Sequence, residues 1–273
     1  NAAACARRNG VPTMVADLAA GVRARATFDV VTAVAPYVPT DHLRLLEPAA
    51  RRTWGRGRRR PGRSSTERPA AGRALCFTSG VDSFFSLLRG AHAPTHLLYV
   101  LGYDIELDDR ERTRAATASL QVVADAVGAR PLVVGTDLRT HPAFASISWE
   151  HTHGAALATI GHLLHRTIGT VIIPPSYAES RLVPWGSRPD LDPRWSVPGR
   201  TEIVHGDASG RRLDRVLAIA SDPLVHHHLR VCWQNVPGSL NCGRCEKCVR
   251  TMVMLAGADQ LQWCETFPDR GDL

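Results

Sequence analysis

The sequence predicts an α/β protein built on a doubly wound, mostly parallel sheet, with a small N-terminal segment and a C-terminal zinc-binding loop. Three observations carry that reading. Short aliphatic runs alternate with helical stretches from residue 73 onward. A loop of small residues, Thr78-Ser79-Gly80-Val81-Asp82-Ser83, follows the first run and opens a helix. Near the end, Cys232, Cys242, Cys245 and Cys248 are spaced C-x9-C-x2-C-x2-C.

Residues 1–50 form a small Ala-rich segment. Its apolar stretches at 11–22 and 28–38, punctuated by proline, predict short strands and turns. From 51 to 72 the composition shifts to Arg, Gly, Pro and Ser, with Arg58, Arg59 and Arg60 in succession. This stretch reads as a linker rather than an RNA-binding arm, because Trp54 is its only aromatic residue for base stacking. In the domain of residues 73–225, buried parallel strands are predicted at 74–77, 96–101, 132–134 and 171–173, each short, aliphatic and bounded by turn residues. Helices are predicted at 83–89, 109–127 and 154–166. In the second, Ala115, Ala118, Val122, Ala126 and Val127 keep an apolar face while Asp109, Arg110, Glu111 and Arg114 hold the wet side. Residues 226–273 form the cysteine-bearing end. Three consecutive histidines, His226, His227 and His228, cannot share one helix face and read as a solvated turn rather than a metal site. Cys76 reads as a core residue, and Cys5 and Cys264 carry no partner signal.

Length and composition bound what such a chain does. Its 273 residues allow one large domain or a domain with a smaller appendage. Hydrophobic residues at 44% and charged residues at 22% are ordinary for a globular protein. No apolar run approaches bilayer length, and the first residues lack the charged-then-apolar order of a secretory signal. The expected location is the cytoplasm, where cysteines stay reduced, and no membrane partner is expected. The chain opens at Asn1 rather than methionine, as an N-terminally incomplete sequence does. Arginine carries the net charge of +7, because Lys247 is the only lysine. That excludes a Walker-type phosphate loop, and it excludes Schiff-base chemistry because Lys247 lies among the cysteines. A basic surface of this kind suits nucleotides, nucleic acid or another anionic partner.

A tetrahedral zinc site takes four thiolates, and a C-x2-C pair sets two sulfurs on one side of a tight turn, here supplied by Gly243. Arg244, Lys247 and Arg250 offset the charge of four thiolates around one divalent ion. Iron–sulfur ligation and disulfides are the alternatives that the spacing leaves open. No base-reading helix at finger spacing accompanies the cysteines. The site reads as closed and structural, pinning the C-terminal helix and the loop of 233–240.

The loop of 78–83 lies where phosphate binds in folds of this kind, at a helix N-terminus beyond a strand's carboxyl end. Hydroxyls and amides of Thr78, Ser79, Gly80 and Ser83, with Val81 between them, can wrap a pyrophosphate without lysine. Asp82 is assigned to magnesium or to orienting the loop, and Asp82 and Ser83 count as catalytic; an ordinary helix cap is the alternative. The stretch 77–83 resembles the SGGxDS phosphate loop of the ATP pyrophosphatases, with Thr78 and Ser79 where the motif has Ser and Gly. The segment LRVCWQNVPGSLNCGRCEKCVRTM, from Leu229 onward, is similar to the C-terminal zinc site of the 7-cyano-7-deazaguanine synthases within that superfamily. The resemblance covers residues 72–267 and leaves the N-terminal segment outside.

This resemblance implies an adenine nucleotide alpha hydrolase-like fold, with ATP, Mg2+ and Zn2+ as cofactors and a homodimer with its zinc-bearing end near the subunit contact. It also implies that Leu101 and Gly102 line an adenine pocket and that Gly135, Thr136 and Asp137 face the same crevice. Where the family carries an Arg-Asn pair, this chain has His151-Thr152-His153-Gly154. His153 reads as a phosphate donor or an acid–base group, with helix capping as the alternative.

The stretch 177–196 is too long for a connector and reads as a substrate lid. Trp185 or Trp195 would stack a planar group, Arg188 or Arg194 would meet a carboxylate or phosphate, and Asp192 would supply polar recognition, with Ser176 and Ser187 beside them. The alternative is a surface loop whose tryptophans pack on the core. His205, Asp207, Arg212 and Asp214 read as the opening of a further helix that completes the crevice.

The expected activity is ATP-dependent adenylation of a carboxylate or amide oxygen on a small acid or nucleobase-like substrate. Pyrophosphate leaves, and ammonia or another nucleophile displaces AMP, which makes the enzyme a ligase forming a C–N bond. Two alternatives stand beside it. One is a sulfur transferase of the same superfamily acting on tRNA or a small molecule. The other is a non-catalytic nucleotide- or nucleic-acid-binding protein, for which Ser79 and the missing Arg-Asn pair speak.

Overall fold

A computed structural model describes residues 13–15, 30–32, 69–144, 147–181 and 183–268. In chain order the strands are β1 (Thr13–Val15), β2 (Val30–Thr32), β3 (Gly72–Cys76), β4 (His96–Leu101), β5 (Arg130–Gly135), β6 (Ile168–Ile173) and β7 (Glu202–His205). The α-helices are α1 (Val81–Leu88), α2 (Arg110–Ala126), α3 (Trp149–Leu163), α4 (Arg212–Ile219), α5 (Pro223–His228) and α6 (Glu246–Ala256). All seven strands run parallel in one sheet, in the order β1-β2-β5-β4-β3-β6-β7.

Strands covered on both faces need apolar side chains on both, and the runs HLLYVL of β4 and IGTVII of β6 supply them. The two-residue period then sorts the side chains. Leu75, Leu97, Tyr99 and Ile172 face a core shared with Phe84 of α1, Leu120 of α2, Val216 of α4 and Met252 of α6. Ala74, Cys76, Leu98, Val100 and Val171 face a second core against Ala156 and Ile160 of α3. From β3 the chain moves to β4 and β5 on one side, then returns through α3 to β6 and β7 on the other. Connections therefore leave the neighbourhood of β3 in opposite directions, and beyond its carboxyl end lies the place where folds of this kind open a crevice.

Several elements differ from the sequence reading. The sheet is wholly parallel, and β1 and β2 extend its β5 edge rather than forming a separate unit. Gly72, at the end of the expected linker, is the first residue of β3. Residues 51–68 of that linker, Cys5 and the rest of residues 1–50 apart from β1 and β2 lie outside the described residues. Helix α3 starts at Trp149, five positions ahead of expectation (154 against 149), because the polar run 150–153 masked its apolar spacing. Strand β7 was not anticipated: its two β-branched residues, Ile203 and Val204, are flanked by Glu202 and His205, too little pattern to read. His205 accordingly ends a strand and Asp207 sits in the following loop, while Arg212 does open a helix with Asp214 in its first turn. The three histidines form the last turn of α5 instead of a turn outside a helix. They do diverge: His226 Nε2 donates to the Ala220 carbonyl, His227 pairs with Glu265 and His228 meets Ser119.

Gly102 follows β4 with φ of +91°. A Cβ there would lie 1.8 Å from the Thr136 carbonyl oxygen, so both conformation and space demand glycine. The variant Gly102→Ala is expected to lose about 3 kcal/mol or more of stability in urea unfolding.

Candidate functional site

The residues of the expected phosphate loop do meet at the crevice. β3 delivers Thr78 and Ser79 just beyond its carboxyl end, and Ser79 adopts φ of +61°, the left-handed region where the resembled motif has glycine. Gly80 is the N-cap of α1. Its carbonyl accepts from the Phe84 amide at 2.9 Å and from Ser83 Oγ at 2.9 Å. The amides of Val81, Asp82 and Ser83 belong to a first helical turn, whose N–H groups have no partner within the helix. The Ser79 carbonyl is bound by the Arg230 amide at 2.8 Å, which ties the loop to the segment leading into Cys232.

Arg215 and Arg230, which the sequence reading did not single out, and Arg212, which it placed only loosely, surround this loop: Arg212 and Arg215 bring their guanidiniums to it and Arg230 its backbone amide. Arg215 is 1% exposed; its Nη1 reaches Asp82 Oδ1 at 2.8 Å and the Pro175 carbonyl at 2.7 Å, and its Nη2 reaches the Tyr177 carbonyl at 3.3 Å. Arg212 Nη1 meets Asp82 Oδ2 at 3.2 Å. Buried Arg230 holds Asn235 Oδ1 at 3.0 Å. The Nε atoms of all three are buried without a hydrogen-bond partner. Burial pushes the Arg212 guanidinium below the ordinary arginine range, with Asp82 opposing that shift.

Magnesium does not fit Asp82. Both carboxylate oxygens already accept from a guanidinium, so the group is a counter-ion for arginine rather than an open cation ligand. Two guanidiniums against one carboxylate leave the local balance positive, which suits an anion.

Leu101 and Gly102 stand on the β4 side of this crevice. The Leu101 carbonyl accepts from the Thr136 amide at 3.0 Å, and the Gly102 amide donates to Ile105 at 2.7 Å. His153 sits in the second turn of α3, with Nδ1 donating to the Trp149 carbonyl at 3.2 Å. Its ring contacts Trp185 at 5.5 Å, and Trp185 contacts Tyr177 at 5.2 Å. Burial lowers the His153 pKa and outweighs its backbone hydrogen bond, so the ring is neutral at pH 7.

The lid residues divide into two sets. Ser187 and Asp192 are buried and engaged with each other, Ser187 Oγ donating to Asp192 Oδ2 at 2.7 Å; the same oxygen accepts from His205 Nδ1 at 2.7 Å. Asp192 Oδ1 accepts from the Arg188 amide at 3.2 Å. Arg188 is a two-pronged partner of Asp190, and Arg194 Nε donates to the Asp190 carbonyl. Asp192 is therefore an internal anchor of the lid, not a surface for recognition. Ser176, Tyr177 and Trp195 remain exposed, and Trp185 is half-buried with its indole N–H unpartnered. The lid is docked on α3 by close backbone contact: a Cβ on Gly154 would lie 2.0 Å from the Gly186 carbonyl oxygen.

The four sulfurs of Cys232, Cys242, Cys245 and Cys248 all lie within 4.8 Å of one another. The 242–248 and 232–245 pairs are 3.9 and 4.0 Å apart. Those spacings match the edge of about 3.8 Å that a tetrahedron with Zn–S bonds of about 2.3 Å requires, and exceed a disulfide bond of about 2.05 Å. The cluster can hold a metal ion such as zinc. Gly243 has φ of +69°, as the tight turn requires, and the Cys245 amide donates to Cys242 Sγ at 3.3 Å. Burial opposes ionisation of Cys242, yet the Arg244 and Cys245 amides prevail and bring its thiol down to about 7. Fully buried Asn241, which the spacing did not reveal, locks the cluster to its surroundings. Its side-chain oxygen accepts from the Val231 and Cys232 amides at 2.8 and 3.1 Å, and its nitrogen donates to the Leu229 carbonyl at 2.8 Å. Arg112 of α2 fastens the 233–240 loop through the Val236 and Ser239 carbonyls at 2.8 and 2.6 Å.

No protein-family model and no curated protein matches this chain. Its chemistry is therefore argued from the site itself. No helix among the described residues is long and apolar enough to cross a membrane.

Two outcomes follow from this geometry. Asn241→Ala is expected to cost about 3 kcal/mol of stability, since it strands three buried backbone groups, and to weaken metal retention during dialysis against a chelator. Because His153 is held below the ordinary histidine value, the unfolded chain binds its proton first, and stability declines as pH falls below about 6.5. The urea midpoint should drop from about pH 7.5 to about pH 5, with a smaller drop in His153→Gln.

Proposed function

We propose that this protein is an ATP-dependent adenylating enzyme of the ATP pyrophosphatase kind, on a doubly wound nucleotide-binding fold. It activates a carboxylate or amide oxygen of a small substrate and forms a C–N bond. One observation carries the reading: the loop of 78–83 stands beyond the carboxyl end of the central strand, at a helix N-terminus, with the guanidiniums of Arg212 and Arg215 on its Asp82.

The division of labour is physical. Loop amides and the arginines hold the triphosphate and stabilise the charge that grows as the substrate oxygen attacks the α-phosphorus. The bond to pyrophosphate breaks with its electron pair on the departing oxygen. The acyl adenylate then presents a carbon from which AMP leaves readily, and a nucleophile completes the exchange. Half-buried Trp185 and exposed Trp195 and Tyr177 offer stacking surfaces for a planar part of the substrate. Zinc in the four-cysteine cluster is structural, because protein fills every ligand position.

Sulfur transfer finds little support from the cysteines. Cys76, at the end of β3, is sealed in the core, and burial pushes its thiol up to about 12, far from a reactive thiolate.

Incubation with ATP and a panel of small acids is expected to release AMP and pyrophosphate; release of ADP alone, or no heat of ATP binding in calorimetry, would overturn the reading. The variant Arg212→Gln should weaken ATP binding about tenfold while leaving the thermal unfolding midpoint within a few degrees.

A further inference from the structure

A cleft of about 400 Å³ runs beside β7, large enough for a small ligand. Glu179 and Glu202 line it, together with Pro189, Pro193, Ser196 and His205. Among the lining residues none is lysine or arginine. The Gly206 end of this cleft packs against the carboxyl side of the sheet: a Cβ on Gly206 would lie 3.0 Å from Pro175 and 3.1 Å from Ser86 of α1. Pro175 is the residue whose carbonyl Arg215 binds beside Asp82.

His205 is the unusual member of this wall. Its side chain is 6% exposed, and its Nδ1 lies 2.7 Å from Asp192 Oδ2, itself fully buried. A carboxylate only accepts, so Nδ1 carries a proton toward Asp192 and Nε2 is the ring nitrogen left to meet a ligand. Nε2 has no protein partner among the described residues. The same Asp192 oxygen takes Ser187 Oγ, and Arg188 holds the other, so the carboxylate cannot turn away. This is the arrangement by which an anchored carboxylate readies an imidazole to take a proton and steadies the cation that results. The groups that face it are Asp192 and Ser187 from the lid, with Glu179 and Glu202 along the cleft.

We propose that this cleft binds a small primary amine as its ammonium ion and that His205 Nε2 accepts the proton that frees the amine. Carboxylates at Glu179 and Glu202 favour the cation, and an imidazole nitrogen left without a protein partner can accept from its N–H. The inference rests on the adenylation reading for its place in the reaction: the amine is the nucleophile that displaces AMP. One ammonium proton passes to His205 Nε2. The nitrogen lone pair forms a bond to the acyl carbon, the C–O bond to AMP breaks with its electron pair on the phosphate oxygen, and the second proton leaves to water. Asp192 is a positioning residue that acts through the ring.

Nitrogen-15 NMR of the metal-loaded protein tests the site without nucleotide. Ethylamine is expected to shift His205 Nε2 saturably in the millimolar range, whereas tetramethylammonium, which has charge but no N–H, should not. In Asp192→Asn the single Nδ1–H tautomer should give way to a mixture. His205→Asn keeps a donor toward Asp192 but removes Nε2. It should lower amide formation about a hundredfold or more while leaving ATP–pyrophosphate exchange unchanged. No response of His205 to ethylamine at tens of millimolar, or undiminished amide formation in His205→Asn, would overturn the proposal. Should His205→Asn prove unfolded, Glu179→Gln, at an exposed position, must still weaken ethylamine binding several-fold in the same titration. Saturable amine binding without any ATP–pyrophosphate exchange would retain the cleft and sink the adenylation reading, and exchange without an amine response would do the reverse.

Discussion

A buried guanidinium organises the end of this molecule where the loop of 78–83 opens α1. Arg215 rises from α4 into a space it shares with Asp82 of α1 and the carbonyls of Pro175 and Tyr177. A charge removed from water to this degree is tolerated only when its donors are met, and three elements converge to meet it. The spacing of α1, the end of β6 and the entrance to the lid is thereby set by one side chain. Asp82 gains a double meaning from the same contact, since it is a member of the loop and the counter-ion of the arginine that holds the loop's neighbours in place.

The cysteine cluster extends that framework rather than forming a separate appendage. Cys245 caps α6 and Cys248 lies within it, while α6 packs on α4, the helix that carries Arg212 and Arg215. Cys232 follows Arg230, whose amide binds the Ser79 carbonyl. Both routes from the sulfurs reach the loop of 78–83 within a few residues. A metal in the cluster joins two chain segments that otherwise share only packing and the hydrogen bonds of Asn241. Loss of that cross-link would be felt in the position of the arginines before it was felt in the sheet.

Much of this was legible in sequence, and the failures have common causes. β4 and β6 announced themselves because a strand covered on both faces must be apolar throughout. β7 did not, because its pattern is four residues long and its last side chain is a histidine pointed at a carboxylate. The cysteine spacing and the Thr78–Ser83 stretch were readable because a local turn dictates each. The roles of Arg215, Asn241 and Asp192 were not, because each is decided by how the chain folds back: Arg215 meets a residue 133 positions distant, and Asn241 and Asp192 meet partners across their own loops, from other turns of the chain. The lid shows the limit most plainly. A loop rich in Trp, Arg and Asp looks like a recognition surface, but here Asp192 spends both oxygens inside the protein and only part of the aromatic set faces outward.

Ser79 has a thermodynamic consequence of its own. A non-glycine residue held at positive φ raises the energy of the chain by about 1–2 kcal/mol, and the fold carries that load whether or not anything is bound. The loop is therefore held in one shape, and little conformational entropy would remain to be lost on binding a ligand. Glycine at the same position would relieve the strain but leave the loop free to wander between visits. Serine exchanges a little global stability for a loop fixed in a single shape.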